Sequence, residues 1–267
     1  MSTVTFPGLK LSFEFSKIAF SILGVPIYKY AICIVLGILI ALILCKLNKE
    51  KCGIDYGFIL ENTAIGIFFG TIGARLYFVL FNLEYYMNNL GEILNFRSGG
   101  LAIYGGLIFG ALAIIINCKI QKKDMLDFFD CIIPYVAIAQ CVGRFGNFFN
   151  VEAYGYETTS ILRMGINTAK GYFEVHPTFL YESVATLIIG IILIVLQRKR
   201  RYKGQILLVY GALYGLIRCA IEGLRTDSLM FFDFRVSQIL SIMILIISIA
   251  LLVINNRKRN NIIKKAN

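Results

Sequence analysis

Seven apolar stretches, each long enough to cross a lipid bilayer, restrict the possible folds of this 267-residue chain more than any other feature. A helix of about 20 mostly apolar residues spans the hydrocarbon layer. The predicted spans are 27–45, 57–80, 100–118, 126–147, 177–196, 204–223 and 234–254. Only short polar segments separate them, so we expect an all-α fold and a single integral-membrane domain over residues 1–267.

The composition agrees with a multi-pass membrane protein. Hydrophobic residues make up 58% of the chain and charged residues 16%, whereas soluble domains average about 45–50% and about 25%. One soluble core cannot bury this excess, and disorder or a disulfide-stapled secreted module is excluded as well. The seven cysteines lie mostly inside apolar stretches without paired spacing, which is typical of small buried side chains.

The distribution of positive charge predicts the orientation of the chain. Segments 46–56, 119–124, 197–203 and the tail 255–267 hold 16 of the 27 Lys and Arg residues. These segments are alternate loops plus the C-terminus, and positive residues prefer the cytoplasmic side. We therefore expect the N-terminus outside and the C-terminus in the cytoplasm. The same distribution accounts for the net charge of +11 without a nucleic-acid partner.

Three arginines lie deep within predicted spans. At 1.5 Å per residue, Arg75 and Arg144 are roughly 27 Å, and Arg218 roughly 21 Å, from the cytoplasmic start of their helices. A charge at this depth is costly and is usually paired or functional. The three side chains predict a site for an anionic group in the outer half of the membrane. The alternative is that each arginine extends to the nearby interface without a ligand.

The fourth span ends in a dense run of polar groups, GRFGNFFNVEAYG, at 143–155. Arg144 can hold a phosphate or carboxylate through two parallel hydrogen bonds. The amide of Asn147 can donate to substrate oxygens, and Glu152 adds a carboxylate. The alternative is an ordinary helix end capped by Asn and Gly.

The sixth span presents one polar face. Tyr214, Arg218, Glu222 and Arg225 follow at intervals that place them on the same side of a helix. Arg218 and Glu222 are predicted to form an ion pair, which lowers the cost of burying both. A purely structural pair is the alternative, although an arginine held by one glutamate keeps donors for a phosphate.

Two further candidates are Tyr104 and His176. Tyr104 follows a glycine-rich start of the third span and is either a site residue or an interfacial anchor. Glycines also precede Arg75, where they favour close helix packing. His176, the only histidine, precedes Pro177 and is either a proton acceptor or a helix-capping residue. One histidine cannot build a usual zinc site, and no P-loop or nucleophile elbow occurs in the sequence.

With these motifs in view, the sequence resembles the prolipoprotein diacylglyceryl transferase family. The resemblance rests on residues 143–155, which fit the family signature GRxGNFxNxExxG, and on four supporting segments in family order. These are GARLYFVLFN at 73–82, GGLAIYGG at 99–106, HPTFLYES at 176–183 and YGLIRCAIEGLR at 214–225. The resemblance implies transfer of a diacylglyceryl group from phosphatidylglycerol to the lipobox cysteine thiol of a prolipoprotein, with release of glycerol 1-phosphate. The reaction is implied at the outer leaflet of the bacterial cell membrane, without a metal or organic cofactor.

The resemblance also marks individual residues. The signature's functional positions correspond to Arg144, Asn147, Glu152 and Gly155, and the family's essential arginine and its partner correspond to Arg218 and Glu222. Tyr214 shares the face of that arginine, and Tyr30 matches a tyrosine that the family uses. One position departs from the family, because many members have histidine where this chain has Tyr104. The general base therefore stays open among Tyr104, His176 and a thiolate stabilised by arginine alone.

The chemistry suggests a division of roles among these residues. A thiol with a pKa of about 8.5 needs positive charge or a base to become a thiolate. We expect Arg144 and Arg218 to clamp the departing phosphate, Glu152 and Glu222 to orient these arginines, and Asn147 to hydrogen-bond the headgroup. Arg75 and His176 are further candidates for contact with phosphatidylglycerol. The alternatives are a transporter or flippase for an anionic lipid, and a transferase acting on a nucleotide-activated lipid.

Overall fold

The computed structural model describes residues 2–48, 53–96, 99–168 and 171–266. Most of these residues are helical. The helices are α1 (Lys29–Leu47), α2 (Tyr56–Leu80), α3 (Leu83–Asn88), α4 (Ile103–Ile120), α5 (Met125–Asn150), α6 (Thr178–Gln197), α7 (Gln205–Glu222) and α8 (Val236–Ala266).

The prediction of seven membrane-spanning helices is confirmed. Within the described ranges, all of these helices except the short α3 are long and apolar enough to cross a membrane, α8 over Val236–Ile262. The last helix differs from expectation, because it continues through residues 255–266, which were predicted to form a separate tail. Lys and Arg are good helix formers and favour a helix C-terminus, so the basic residues extend α8.

The expectation of an all-α fold is wrong in the segments outside the spans, which contain short strands. These are β1 (Ser2–Phe6), β2 (Leu11–Phe15), β3 (Ile18–Ile22), β4 (Val25–Tyr28), β5 (Met164–Thr168), β6 (Gly171–Val175), β7 (Met230–Phe231) and β8 (Phe234–Arg235). They are too short to stand out in a hydropathy pattern. In β1 the side chains of Val4 and Phe6 are buried at a spacing of two, as a strand with one buried face requires.

The chain divides into two compact units, and the single-domain prediction stays a prediction. The first unit comprises 1–51 and 129–267, and the second comprises 52–128. Among the described cysteines, those at 33, 45, 118 and 131 are buried as expected, and those at 141 and 219 are partly buried. Cys52 lies outside the described residues.

A four-stranded antiparallel sheet, in the order β2-β1-β5-β6, organises the first unit. Its core includes Val4, Phe15 and Ile166, and it packs against Phe148 and Phe149. These two phenylalanines belong to the last turns of α5. The sheet therefore fixes the direction in which the chain leaves that helix.

A buried carboxylate in α5 caps the start of α7. Asp130 accepts hydrogen bonds from the backbone N–H groups of Gly204 and Leu207, each at 2.8 Å. Arg200 lies 3.3 Å from the same carboxylate. The N–H groups at a helix start have no partner within the helix, and a carboxylate there also complements the helix dipole. Asp130 thus ties α7 to α5.

We expect Asp130→Ala to lower the stability of the protein more than any single change of an exposed acidic residue. Each buried N–H group left without an acceptor costs about 1–3 kcal/mol. The thermal unfolding midpoint of the purified protein measures the effect, with Asp130→Asn expected between the wild type and Asp130→Ala. Glu14→Ala changes an exposed carboxylate and is the control. Equal midpoints for Asp130→Ala and Glu14→Ala would contradict this role.

In the second unit, glycines bring α2 and α4 into close contact. A Cβ atom at Gly105 would collide with the carbonyl oxygen of Gly73, and one at Gly110 would lie 3.1 Å from the carbonyl oxygen of Gly66. Small residues allow helix backbones to approach in this way. Helix packing therefore accounts for these glycines.

Candidate active site

Four charged side chains from three helices meet in the first unit. We call Arg144 of α5, Glu182 of α6, and Arg218 and Glu222 of α7 the charge cluster. Nε of Arg144 lies 2.5 Å from Oε2 of Glu182, and Nη2 of Arg218 lies 2.5 Å from Oε2 of Glu222. Nη1 of Arg218 donates to the other oxygen of Glu182. One carboxylate is therefore shared by both arginines.

Burial makes these ion pairs obligatory. The side chains of Glu182 and Glu222 are only 5% and 2% exposed, and that of Arg218 is 14% exposed. Charges withdrawn from water in this way need partners, because an unpaired one carries a large desolvation cost. The predicted pair between Arg218 and Glu222 is thus confirmed.

Arg144 keeps unused hydrogen-bonding capacity. Its side chain is 21% exposed, and its ion pair with Glu182 is made through Nε. Among the described residues, its Nη1 and Nη2 groups make no hydrogen bond, and Glu182 is its one ion-pair partner. Two adjacent N–H groups on a planar guanidinium are suited to two oxygens of one phosphate.

The carboxylate that holds Arg144 was not identified from the sequence. We expected Glu152 to orient Arg144, but that role falls to Glu182, which lies on a different helix. Glu152 instead accepts a hydrogen bond from Nδ2 of Asn147 at 2.9 Å. A glutamate within an apolar span already indicated a buried partner, which is the signal that could have assigned Glu182 to the site.

A tight turn after α5 brings Asn147 and Glu152 together. Val151 and Ala153 have φ values of 54° and 56°, a region that non-glycine residues rarely adopt. The backbone N–H of Glu152 donates to the carbonyl of Asn147 at 3.1 Å. Strain of this kind persists where the surroundings impose it, as at binding and catalytic sites.

Tyr30 and Tyr214 lie against the helices of the charge cluster. A Cβ atom at Gly146 would lie 2.7 Å from Cδ2 of Tyr30, so the tyrosine ring packs directly on the α5 backbone. Tyr214, one turn before Arg218, stacks on Tyr210 with ring centroids 5.4 Å apart. The hydroxyl of Tyr210 donates to Gln140 of α5 at 2.9 Å. Both tyrosines thus belong to the α5–α7 region in which the arginines lie.

Gly155 and His176 lie in a backbone junction beside the site. The N–H of Gly155 donates to the carbonyl of His176 at 2.9 Å, and the N–H of Tyr156 donates to the carbonyl of Leu224 at 2.9 Å. Nδ1 of His176 lies 3.2 Å from the hydroxyl of Tyr181. The junction links the turn after α5 to the start of α6 and the end of α7. A role of His176 as base stays a prediction.

Gly155→Ala is expected to push apart the backbone segments that meet in this junction. The new Cβ atom would lie 2.7 Å from Cβ of His176 and 2.8 Å from the carbonyl oxygen of Leu224. Because one of these atoms belongs to the backbone, we expect a loss of about 1–3 kcal/mol of stability and a lower activity. The unfolding midpoint and an activity assay measure the two effects, with Gly91→Ala, whose new Cβ atom meets open space, as the control. A Gly155→Ala protein as stable and active as Gly91→Ala would contradict the argument.

Arg225, beyond the end of α7, is bound by a neighbouring carboxylate, that of Asp227. Its Nε and Nη2 donate to the two oxygens of Asp227 at 2.9 and 2.8 Å. Burial alone would raise the pKa of Asp227, but the hydrogen bond and charge of Arg225 hold that pKa below its usual value. Both groups are therefore ionised near neutral pH, and the guanidinium of Arg225 is engaged by a carboxylate rather than open to a ligand.

The second unit contains the other two predicted residues. Arg75 is 2% exposed, and its guanidinium donates to four backbone carbonyls. These belong to Glu92 (2.5 Å), Ile93 (2.9 Å), Gly99 (2.7 Å) and Gly100 (3.1 Å). This arrangement favours a role in holding residues 92–93 and 99–100 in place. Tyr104 is the second residue of α4 and is partly buried. Lipid contact by Arg75 and a catalytic role for Tyr104 stay predictions.

The helices and the charge cluster together define a class. The described part of the chain has seven apolar helices long enough to span a membrane, and three of them carry ionised side chains that are costly at membrane depth without a purpose. The chain is therefore a multi-pass membrane protein with a candidate site for an anion.

Comparison with known proteins gives the particular family. The family model for prolipoprotein diacylglyceryl transferase matches residues 17–254. A phosphatidylglycerol–prolipoprotein diacylglyceryl transferase of Clostridium kluyveri is 43% identical over 244 residues, covering 88% of this chain and 95% of that protein. Those of Streptococcus pneumoniae and Clostridioides difficile are 42% and 39% identical, over 86% and 92% of this chain and 90% and 98% of their own lengths. The chain belongs to the prolipoprotein diacylglyceryl transferase family.

Proposed function

We propose that this protein transfers the diacylglyceryl group of phosphatidylglycerol to the thiol of the lipobox cysteine of a prolipoprotein. The relatives described above are named as this transferase, and this chain matches them over nearly their whole length. They give no support to the alternative of a lipid transporter. The observation that carries the proposal within the molecule is the pair of unused Nη groups on Arg144 beside the ion-paired Arg218.

The reaction is a displacement at a glyceryl carbon. The thiolate sulfur attacks the diacylglyceryl carbon that bears the phosphate oxygen, a C–S bond forms, and the C–O bond breaks. The electron pair of that bond leaves on glycerol 1-phosphate. The thiol proton goes to Tyr104 or His176 as base, or to solvent if arginine alone stabilises the thiolate.

The charge cluster supports the leaving group. The phosphate gains negative charge as the C–O bond breaks, and guanidinium groups fixed beside it stabilise that charge most in the transition state. Arg144 supplies two donors, while Glu182 fixes its Nε edge. Arg218, held by Glu182 and Glu222, supplies a second positive charge. Asn147, aligned by Glu152, is placed to hydrogen-bond the headgroup.

The site is proposed to face the outer leaflet of the bacterial cytoplasmic membrane. The basic loops and C-terminus belong in the cytoplasm by the distribution of Lys and Arg. The ends of α5 and α7 that carry the charge cluster then lie on the opposite side. Phosphatidylglycerol in that leaflet and an exported prolipoprotein would both reach the site there, with the lipobox peptide approaching from outside.

A comparison of lipid headgroups tests the proposal. Purified protein is placed in nanodiscs of phosphatidylcholine with either phosphatidylglycerol or phosphatidylethanolamine, and a synthetic lipobox peptide is added. We expect lipid attachment to the peptide only with phosphatidylglycerol. Equal attachment from both lipids would contradict the proposed donor, and no attachment from either would contradict the proposed reaction.

A further inference from the structure

Two β-hairpins of the first unit expose apolar side chains at their tips. The first, β3–β4, exposes Phe20, Ile22 and Val25 along its strands, and Leu23 at its turn is 99% exposed. The second, β7–β8, has Phe232 at its turn with 84% exposure. A concentration of exposed apolar groups of this kind marks a contact with a membrane or a partner.

Both hairpins lead directly into membrane-spanning helices. Strand β4 ends at Tyr28 and α1 begins at Lys29, while β8 ends at Arg235 and α8 begins at Val236. The exposed surface of each hairpin is thus continuous with a lipid-facing helix. Because successive spans alternate in direction, the first and seventh spans begin on the membrane face where the fourth and sixth end. The hairpins therefore lie on the face that carries the charge cluster.

Each hairpin base is attached to a segment of the site. The ammonium group of Lys29 lies 5.2 Å from the ring centroid of Phe149 and 5.6 Å from that of Phe15. Its backbone N–H closes the first hairpin by donating to the carbonyl of Lys17 at 2.9 Å. At the second hairpin, Nη1 of Arg235 donates to the backbone carbonyl of Glu222.

We propose that these two hairpins insert their tips into the acyl-chain layer of the leaflet that the charge cluster faces, with the bilayer as their occupant. Continuity with α1 and α8 favours lipid over a protein partner. The basic groups at the bases, Lys17 and Lys29 of the first hairpin and Arg235 of the second, suit the phosphates of anionic lipids. Insertion fixes the depth of the charge cluster relative to the headgroups, because the base of the first hairpin contacts the end of α5 and the base of the second is bonded to Glu222.

A tryptophan probe tests insertion, because the chain contains no Trp. The variants Leu23→Trp, Val25→Trp and Phe232→Trp each carry one fluorophore on a hairpin. Tyr172→Trp is the matched control, since Tyr172 is half exposed in the sheet and its hydroxyl faces Thr5 and Glu174. Each protein is placed in nanodiscs whose lipids carry bromine on the acyl chains, and the emission is compared with that in unbrominated lipid.

We expect the brominated lipid to quench the hairpin probes several times more strongly than it quenches Tyr172→Trp. Aqueous acrylamide is expected to quench the hairpin probes less than it quenches Tyr172→Trp. Either turn probe behaving like Tyr172→Trp with both quenchers would overturn the proposal. So would a hairpin probe that responds only to added lipobox peptide, because the occupant would then be a peptide. The test needs no transfer activity, so its result is independent of the proposed function.

Discussion

Replacing Arg144 with alanine is expected to abolish diacylglyceryl transfer while the protein remains folded. The change removes both Nη groups proposed to bind the phosphate, and the loss of one transition-state donor alone costs about 10²- to 10³-fold in rate. The fold is expected to persist because Glu182 keeps Arg218 as its partner. Transfer rate on monodisperse protein in nanodiscs is the measurement.

The chain offers a matched control for this change. Arg163 also places Nε 2.5 Å from a glutamate, Glu174, but lies at the extramembrane sheet. Arg163→Ala is expected to keep the wild-type rate, whereas Arg144→Lys should lose most activity because lysine cannot bind two phosphate oxygens as a planar fork does. Wild-type transfer by Arg144→Ala would exclude this residue from the phosphate site.

Glu182→Gln is expected to lower the turnover number about 100-fold. A shift of the arginines by about 1 Å from their working positions is enough for a loss of this size. Glu182 is a positioning residue, because it acts through the two arginines. Arg144 would lose its anionic partner, while Arg218 would keep Glu222. Since both positive charges remain, the KM for phosphatidylglycerol should change less than the turnover number. Glu182→Asp is expected to restore part of the rate.

A double mutant separates positioning from general destabilisation. If Glu182 acts through Arg144, the variant Arg144→Ala/Glu182→Gln should be no slower than Arg144→Ala alone. Glu174→Gln removes a carboxylate from the comparable pair outside the charge cluster and is expected to be fully active. An unchanged turnover number in Glu182→Gln, or effects that add fully in the double mutant, would contradict the role.

The sequence was sufficient for the spans and for part of the charge cluster. Length and apolarity determine whether a helix can cross a membrane, so the seven spans could be read directly. The pair of Arg218 and Glu222 is local to one helix, four residues apart, and could be read from spacing. Neither inference requires knowledge of how the helices pack.

Contacts between elements could not be predicted from the sequence. Glu182 meets Arg144 across two helices, and no spacing rule joins residues on different helices. Arg75 had the depth of a site residue, yet its donors are occupied by backbone carbonyls seventeen or more residues along the chain. The strands were missed because strand pairing between residues 2–6 and 164–168 is long-range and each strand is short.

The central claim is tested most directly by weighing the acceptor peptide. Purified protein, phosphatidylglycerol and a synthetic lipobox peptide are combined, and the peptide mass is measured alongside a peptide in which serine replaces the cysteine. We predict a diacylglyceryl increment on the cysteine peptide alone, with release of glycerol 1-phosphate and loss of both products in Arg144→Ala. An unmodified cysteine peptide, under conditions in which the protein still binds phosphatidylglycerol, would contradict the account.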